Sequence, residues 1–216
     1  MEFAELVKAR HSVRLFRPDP VPAEVLRSIV RDAQRAPSTV NAQDWRVWIA
    51  VGGALEAIRS EYQARTSRNE PRRPDFPPTS GAGWSAAARA RQKAFSASRT
   101  AAGLNAVKMA SQAQLFHAPA VAYITIPDPA NLWAVLDAGG FEAMFLLSAA
   151  NHGLGAVPAY NLVTWPGPVK SVLGIPESEK LAIGIALGYE EDCPLNRFRS
   201  SRAPLEDFLV IRDEAA

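Results

Sequence analysis

Arg10, His11, Ser12 and Arg14 form the first group in the chain whose types and spacing suit chemistry. In extended backbone, successive side chains point to opposite faces. Arg10, Ser12 and Arg14 then line one edge, while Val13 and Leu15 turn toward a core. Two guanidiniums and a hydroxyl on one edge suit a phosphate, because arginine offers bidentate, charge-assisted donors. The same spacing also describes a plain solvated basic edge, and the octet alone does not separate the two readings.

Three later stretches narrow the choice. Pro20-Val21-Pro22 opens a helix, and Ala36-Pro37-Ser38-Thr39-Val40-Asn41-Ala42-Gln43-Asp44-Trp45 follows it as a polar turn. Late in the chain come Gly153-Leu154-Gly155 ahead of Pro158, then Asn196-Arg197-Phe198-Arg199-Ser200-Ser201-Arg202-Ala203-Pro204-Leu205. This ordered set resembles the FMN-dependent nitroreductase family, from residue 5 to about residue 210 and thinly between 60 and 115. The pattern of that family is R-x-S-x-R (or K), then A-P-S-x-x-N-x-Q-P-W, then G-L-G…P, then a terminal arginine before P-L. The terminal stretch is most similar to the nitrobenzoate-reductase branch.

The resemblance implies an α+β fold, with a mixed central sheet flanked by helices and a C-terminal extension (204–216) exchanged between the subunits of a homodimer. It implies one domain over 1–216 that binds FMN, takes hydride from NAD(P)H and reduces a nitroaromatic or quinone-type acceptor in a ping-pong cycle. Arg10 and Ser12, together with Arg202, would hold the FMN phosphate, with Arg199 a further candidate, and His11 is counted among the cofactor-binding residues. Arg14 would approach the pyrimidine edge, where a cation favours developing negative charge. Pro37, Ser38, Thr39 and Asn41 match the turn that contacts flavin from the second subunit. Pro158, Ala159 and Tyr160 match the loop behind the flavin ring. A surface ion pair is the lesser alternative for Arg202, and Asn41 serves equally as a cap of its own turn. One departure stands out: Asp44 replaces the proline usual before the tryptophan, freeing φ and adding a charge. An FMN-sequestering protein with little turnover, or flavin chemistry such as reductive dehalogenation, fits the same motifs.

Bulk properties exclude several other classes. With 24 basic and 22 acidic residues the net charge is +2, without the basic excess expected of a nucleic-acid binder. Cys193 is the single cysteine, so no internal disulfide or cysteine metal cluster forms. The histidines, His11, His117 and His152, lack ligand spacing, so no metal site is expected. No strand–GxGxxG–helix unit and no G-x-x-x-x-G-K-[ST] run occurs, which argues against Rossmann and P-loop proteins. The start of the chain has no apolar core of a secretory signal. The longest apolar stretch, Phe141 to Ala150, is interrupted by Glu142 and too short for a bilayer. A soluble, cytoplasmic protein is the expectation.

The elements that must position these residues follow from periodicity. Residues 2–9 read as a short helix and 10–17 as extended chain. A second helix from Pro22 presents Val25, Leu26, Ile29, Val30 and Ala33 as an apolar stripe. Trp45 to Val51 reads as a strand, 54–63 as helix, and the Arg- and Pro-rich 65–83 as an irregular surface loop or lid. The alanine-rich 85–117 reads as one or two helices, with Gly103 a candidate break. Pro119 to Ile126 is a buried strand, Asn131 to Asn151 a helix apolar nearly all round, and 181–187 another strand. Phe208-Leu209-Val210-Ile211 reads as an edge strand. Trp45, Trp84, Trp133 and Trp165 read as core or interface residues.

Overall fold

Val13 and Phe16 anchor the extended N-terminal segment to the rest of the protein, at 1% and 4% exposure, in a computed structural model that describes residues 2–213. The sequence expectation had Val13 and Leu15 inward; Leu15 is only half-buried and Phe16 takes the core position. The segment pairs only at isolated points, Ser12 with Ala156 and Phe16 with Glu190. It therefore does not hold the strict two-residue alternation of a ladder strand.

The sheet is built from β1 (Arg46–Val51), β2 (Ala120–Pro127), β3 (Gly155–Ala159) and β4 (Glu179–Gly188), in the order β1-β2-β4-β3. All three pairings are antiparallel. The parallel component of the expected mixed sheet is confined to the Ser12–Ala156 bridge. β2 is central and buried along nearly its whole length, as its continuous apolar run requires. Its alternate residues feed two cores. Val121 and Tyr123 join Leu55, Ile58, Tyr62 and Trp165 on one side of the sheet. Ala122, Ile124 and Ile126 join Leu26, Ile29, Phe141 and Phe145 on the other.

Helix α1 spans Phe3–Ala9 and α2 Ala23–Ala33, the latter burying Leu26, Ile29 and Ala33 as its stripe predicts. Helix α3 runs Gly52–Ser67, longer at both ends than the expected 54–63. Residues 65–67 of the expected loop are thus helical. The next part of that loop is pinned. Trp165 Nε1 donates to Pro71 O at 3.1 Å, and Leu181 N to Asp75 Oδ2 at 2.8 Å. Arg73 N donates to Thr164 O at 3.0 Å. Helices α4 (Ala86–Ala101) and α5 (Asn105–Ala113) break at Gly103, whose φ of +68° suits glycine.

Helix α6 (Leu132–Asn151) is capped by the Asn131 side chain, which accepts from Ala134 N at 2.9 Å. Its 20 residues meet the length and composition of a membrane span, where the sequence reading had found only a shorter stretch. It packs on α2 and the sheet instead, burying Phe141, Phe145 and Ala149. It is not covered all round. Leu132 (86% exposed), Trp133 and Leu136 form an open apolar stripe with Gly139 and Ala143. Composition records that a residue is apolar, not whether its own chain covers it. Helices α7 (Pro166–Leu173) and α8 (Pro194–Arg197) complete the set. The expected edge strand at 208–211 is not formed; those residues are exposed and pair with no strand among the described residues.

Two expectations for measurement arise here. A Cβ on Gly155 would lie 2.5 Å from Val13 Cγ2 and 2.7 Å from Val13 Cβ. The β-branched Val13 side chain cannot swing clear of such a contact. Gly155→Ala is expected to destabilise by about 1–3 kcal/mol, read as a fall in urea midpoint; an unchanged midpoint would contradict this packing. The second concerns Glu142, whose carboxyl pKa is pushed up by burial. Between the unfolded pKa and that raised value, the folded protein holds a proton that the unfolded chain releases. Stability therefore falls as pH rises through that window. Glu142→Gln is expected to flatten the slope and raise Tm at neutral pH, followed by thermal unfolding from about pH 4 to about pH 8.

Candidate functional site

Arg10 caps the C-terminus of α1, and the chain then runs extended between two supports. On one side Val13 N donates to Ala156 O at 3.2 Å, fixing the segment along the edge of β3. On the other stands Asn196 of α8, fully buried. Its Oδ1 accepts from Arg14 N at 2.7 Å, and its Nδ2 donates to Leu15 O at 2.7 Å and Glu191 O at 2.8 Å. Ser111 of α5 donates its hydroxyl to Arg14 O. The Arg14 N–H and the Arg14 carbonyl are thereby held from two different parts of the chain.

This scaffold opens a cavity of about 600 Å³. Arg10, Ser12 and Arg14 line one wall; Arg199 and Arg202 reach it from the tail, and Lys8 from α1. Phe95 of α4 and Phe198 close it, their ring centroids 6.0 Å apart. Five cations border the space and no lining residue is acidic. Arg199 Nη1 donates to Asn196 O at 2.5 Å, and Arg202 Nη1 donates to Ser200 Oγ at 2.8 Å. The Arg14 guanidinium makes one bond, from Nη1 to Ser12 O at 3.2 Å, which leaves most of its donors free for a ligand. Burial first, and the Arg99 charge second, hold its pKa below the usual arginine value. His11 also borders the cavity, but its ring is engaged by protein: Nδ1 donates to Ala9 O at 2.9 Å and Nε2 lies 3.0 Å from Glu190 Oε1.

The second group of sequence-predicted residues lies elsewhere on the chain. Pro37 and Ser38 border a different cavity, of about 650 Å³, against Val135, Leu136, Gly139 and Gly140 of α6. The turn beyond them is strained: Val40, Asn41 and Gln43 have φ of 50°, 58° and 49°. Left-handed backbone is costly for a β-branched residue such as Val40, which is 97% exposed. Asp137 of α6 holds the turn, accepting from Thr39 N at 2.9 Å and Thr39 Oγ1 at 3.3 Å. Ser38 Oγ accepts from Gln43 N at 3.1 Å. Asp44 is exposed and makes none of these bonds.

Pro158 and Ala159 pair with Ile185 and Gly184 at the end of β3, and Tyr160 starts a 3-10 turn, 36% exposed. The parallel Ser12–Ala156 bridge sends this stretch in the same direction as Ser12–Arg14, along one sheet edge. One chain thus brings Arg10, Ser12, Arg14, Arg199 and Arg202 together and keeps the Pro37–Asn41 turn on the open face of α6. The sequence reading assigned no role to Asn196, Ser111 or Asp137. Asn196 lay inside the quoted terminal run; the other two carry no local signal.

Comparisons with known proteins agree on a family. The family described as "Nitroreductase family" matches residues 7–189. Nitroreductase NfnB of Mycolicibacterium smegmatis is 30% identical over 212 residues, covering 94% of this chain and 89% of that protein. A 4-nitrobenzoate reductase of Nocardioides sp. is 27% identical, covering 94% and 87%. Among solved structures, the FMN-dependent nitroreductase NfnB from Mycobacterium smegmatis in complex with NADPH matches with a TM-score of 0.89 at 27% identity, covering 97% of each chain.

Proposed function

This chain belongs to the nitroreductase family, and from that premise we propose that it is an FMN-dependent NAD(P)H oxidoreductase that reduces nitroaromatic or quinone-type acceptors. The observation that carries the reading is the cavity bordered by five cations and no acid, a donor set matched to a phosphate dianion. Arg10, Ser12 and Arg202 hold the FMN phosphate, with Arg199 beside them. Arg14 would face the pyrimidine edge, and Pro158, Ala159 and Tyr160 would back the ring. FMN supplies the hydride chemistry; the chain supplies binding, orientation and electrostatics.

The reading includes a homodimer. The open stripe of α6 is too apolar for water, and it carries the turn from Pro37 to Asn41 beside it. A second copy seated there brings that turn to the first copy's flavin, and the exposed Phe208–Ile211 segment extends over the partner. NAD(P)H and acceptor use the same ring face in turn, so a ping-pong cycle follows. Mixing the flavin-loaded protein anaerobically with NADPH or NADH tests this. Rapid bleaching, then recolouring by 4-nitrobenzoate with parallel double-reciprocal plots, is expected. Bound FMN that neither nicotinamide bleaches would replace the enzyme with an FMN-sequestering protein.

A further inference from the structure

The turn beside the open face of α6 is costly to form, and its own chain gains little from it. Val40, Asn41 and Gln43 are all left-handed. Asparagine tolerates that backbone, but a β-branched valine does not. The Val40 side chain is almost wholly exposed, so no burial inside the chain offsets its geometry. Strain of this kind persists only where surrounding contacts impose it, and it gathers at ligand clamps.

What imposes it comes from α6. Inside the turn, Gln43 Nε2 donates to Asn41 O at 3.2 Å and Ala42 N to Thr39 O at 2.9 Å. Among the described residues, Asp137 alone bonds the turn from outside it, through Thr39 N and Thr39 Oγ1. Asp137 is buried, 8% exposed, and lines the cavity between Pro37 and the Gly139–Gly140 step of α6. A carboxylate is costly to bury, and both of its hydrogen bonds here go to one residue of the strained turn. The helix face that would seat a second copy therefore also fixes the turn which that copy's flavin would meet.

We propose that Asp137 is a positioning residue acting across the interface, its carboxylate holding the Thr39–Gln43 turn in the form that meets the flavin ring of the second copy. The inference rests on the FMN and homodimer reading above. Dissociation constants for FMN and riboflavin, measured on the full protein, test it. Asp137→Ala is expected to weaken both about tenfold, as the competent turn falls to about a tenth of the population. The loss is shared because the turn meets the ring, whereas Arg10 serves the phosphate. Adding Val40→Gly to Asp137→Ala is expected to recover most of it, since glycine takes left-handed backbone without strain. Heterodimers with Arg10→Ala in one chain and Asp137→Ala in the other show which copy the turn serves. Acting across the interface, the two defects fall in one site, and the other site is expected to bind FMN as the wild type does. Heterodimers without a site of wild-type affinity, or a loss confined to FMN, would overturn the inference. So would an Asp137→Ala chain that stays unfolded or weak-binding when Val40→Gly is added. Wild-type protein that binds neither flavin would overturn the FMN reading itself, and a monomer that binds FMN would overturn the homodimer, each taking this inference with it.

Discussion

Arg10→Ala is expected to weaken FMN binding by about 10- to 150-fold, the loss of one charge-assisted interaction of roughly 1.5–3 kcal/mol. The guanidinium is half-buried at the cavity wall and donates to no protein acceptor among the described residues. Removing it therefore takes little from the fold and much from a phosphate. The specific comparison is riboflavin, which has the same ring without the phosphate. Its affinity is expected to change by no more than about twofold in the variant. Arg10→Lys should recover only part of the FMN affinity, because an ammonium cannot offer the bidentate fork. Equal losses for FMN and riboflavin, measured by fluorescence quenching, would remove Arg10 from the phosphate.

Asn196→Ala is expected to cost about 3–5 kcal/mol of stability and to lower Tm by roughly 6–15 °C. One side chain serves the Arg14 N–H and the Leu15 and Glu191 carbonyls, at 2.7, 2.7 and 2.8 Å. Alanine leaves the Arg14 N–H and the Glu191 carbonyl without a partner, and the Leu15 carbonyl with the Glu191 N–H alone, in a place where Asn196 itself is fully buried. Asn196→Asp keeps the acceptor for Arg14 but turns an ionised oxygen toward two carbonyls, so it too is expected to be destabilised at neutral pH. The urea midpoint decides the matter. A loss below about 1 kcal/mol would mean that water or a backbone shift satisfies those groups as well as the amide does.

The sequence carried the fold wherever burial imposes a period. The stripe of α2, the apolar run of β2 and the start of α6 each appear in the structure within a residue or two of the expected place. It misjudged Leu15 because the segment from Arg10 to Arg17 touches the sheet only at Ser12 and Phe16, so no ladder enforces alternation. It read α6 as apolar nearly all round, where one stripe is open, because apolar residues signal cover without naming what provides it. The arginines of the basic cavity were legible as a motif whose parts lie at opposite ends of the chain. Asn196 and Ser111 were not, since their partners are backbone atoms 182 and 97 residues away. A single polar residue has no periodicity, and a hydrogen bond to a distant carbonyl leaves no mark on its neighbours. Asp137 is hidden for the same reason, within a helix whose pattern reads simply as apolar.

The most direct measurement is the absorbance spectrum of the purified protein, followed by identification of the chromophore released on denaturation. The account predicts FMN at one per chain, or stoichiometric uptake when FMN is added back. A colourless protein that takes up no added FMN would contradict it, and the basic cavity would then belong to some other anion.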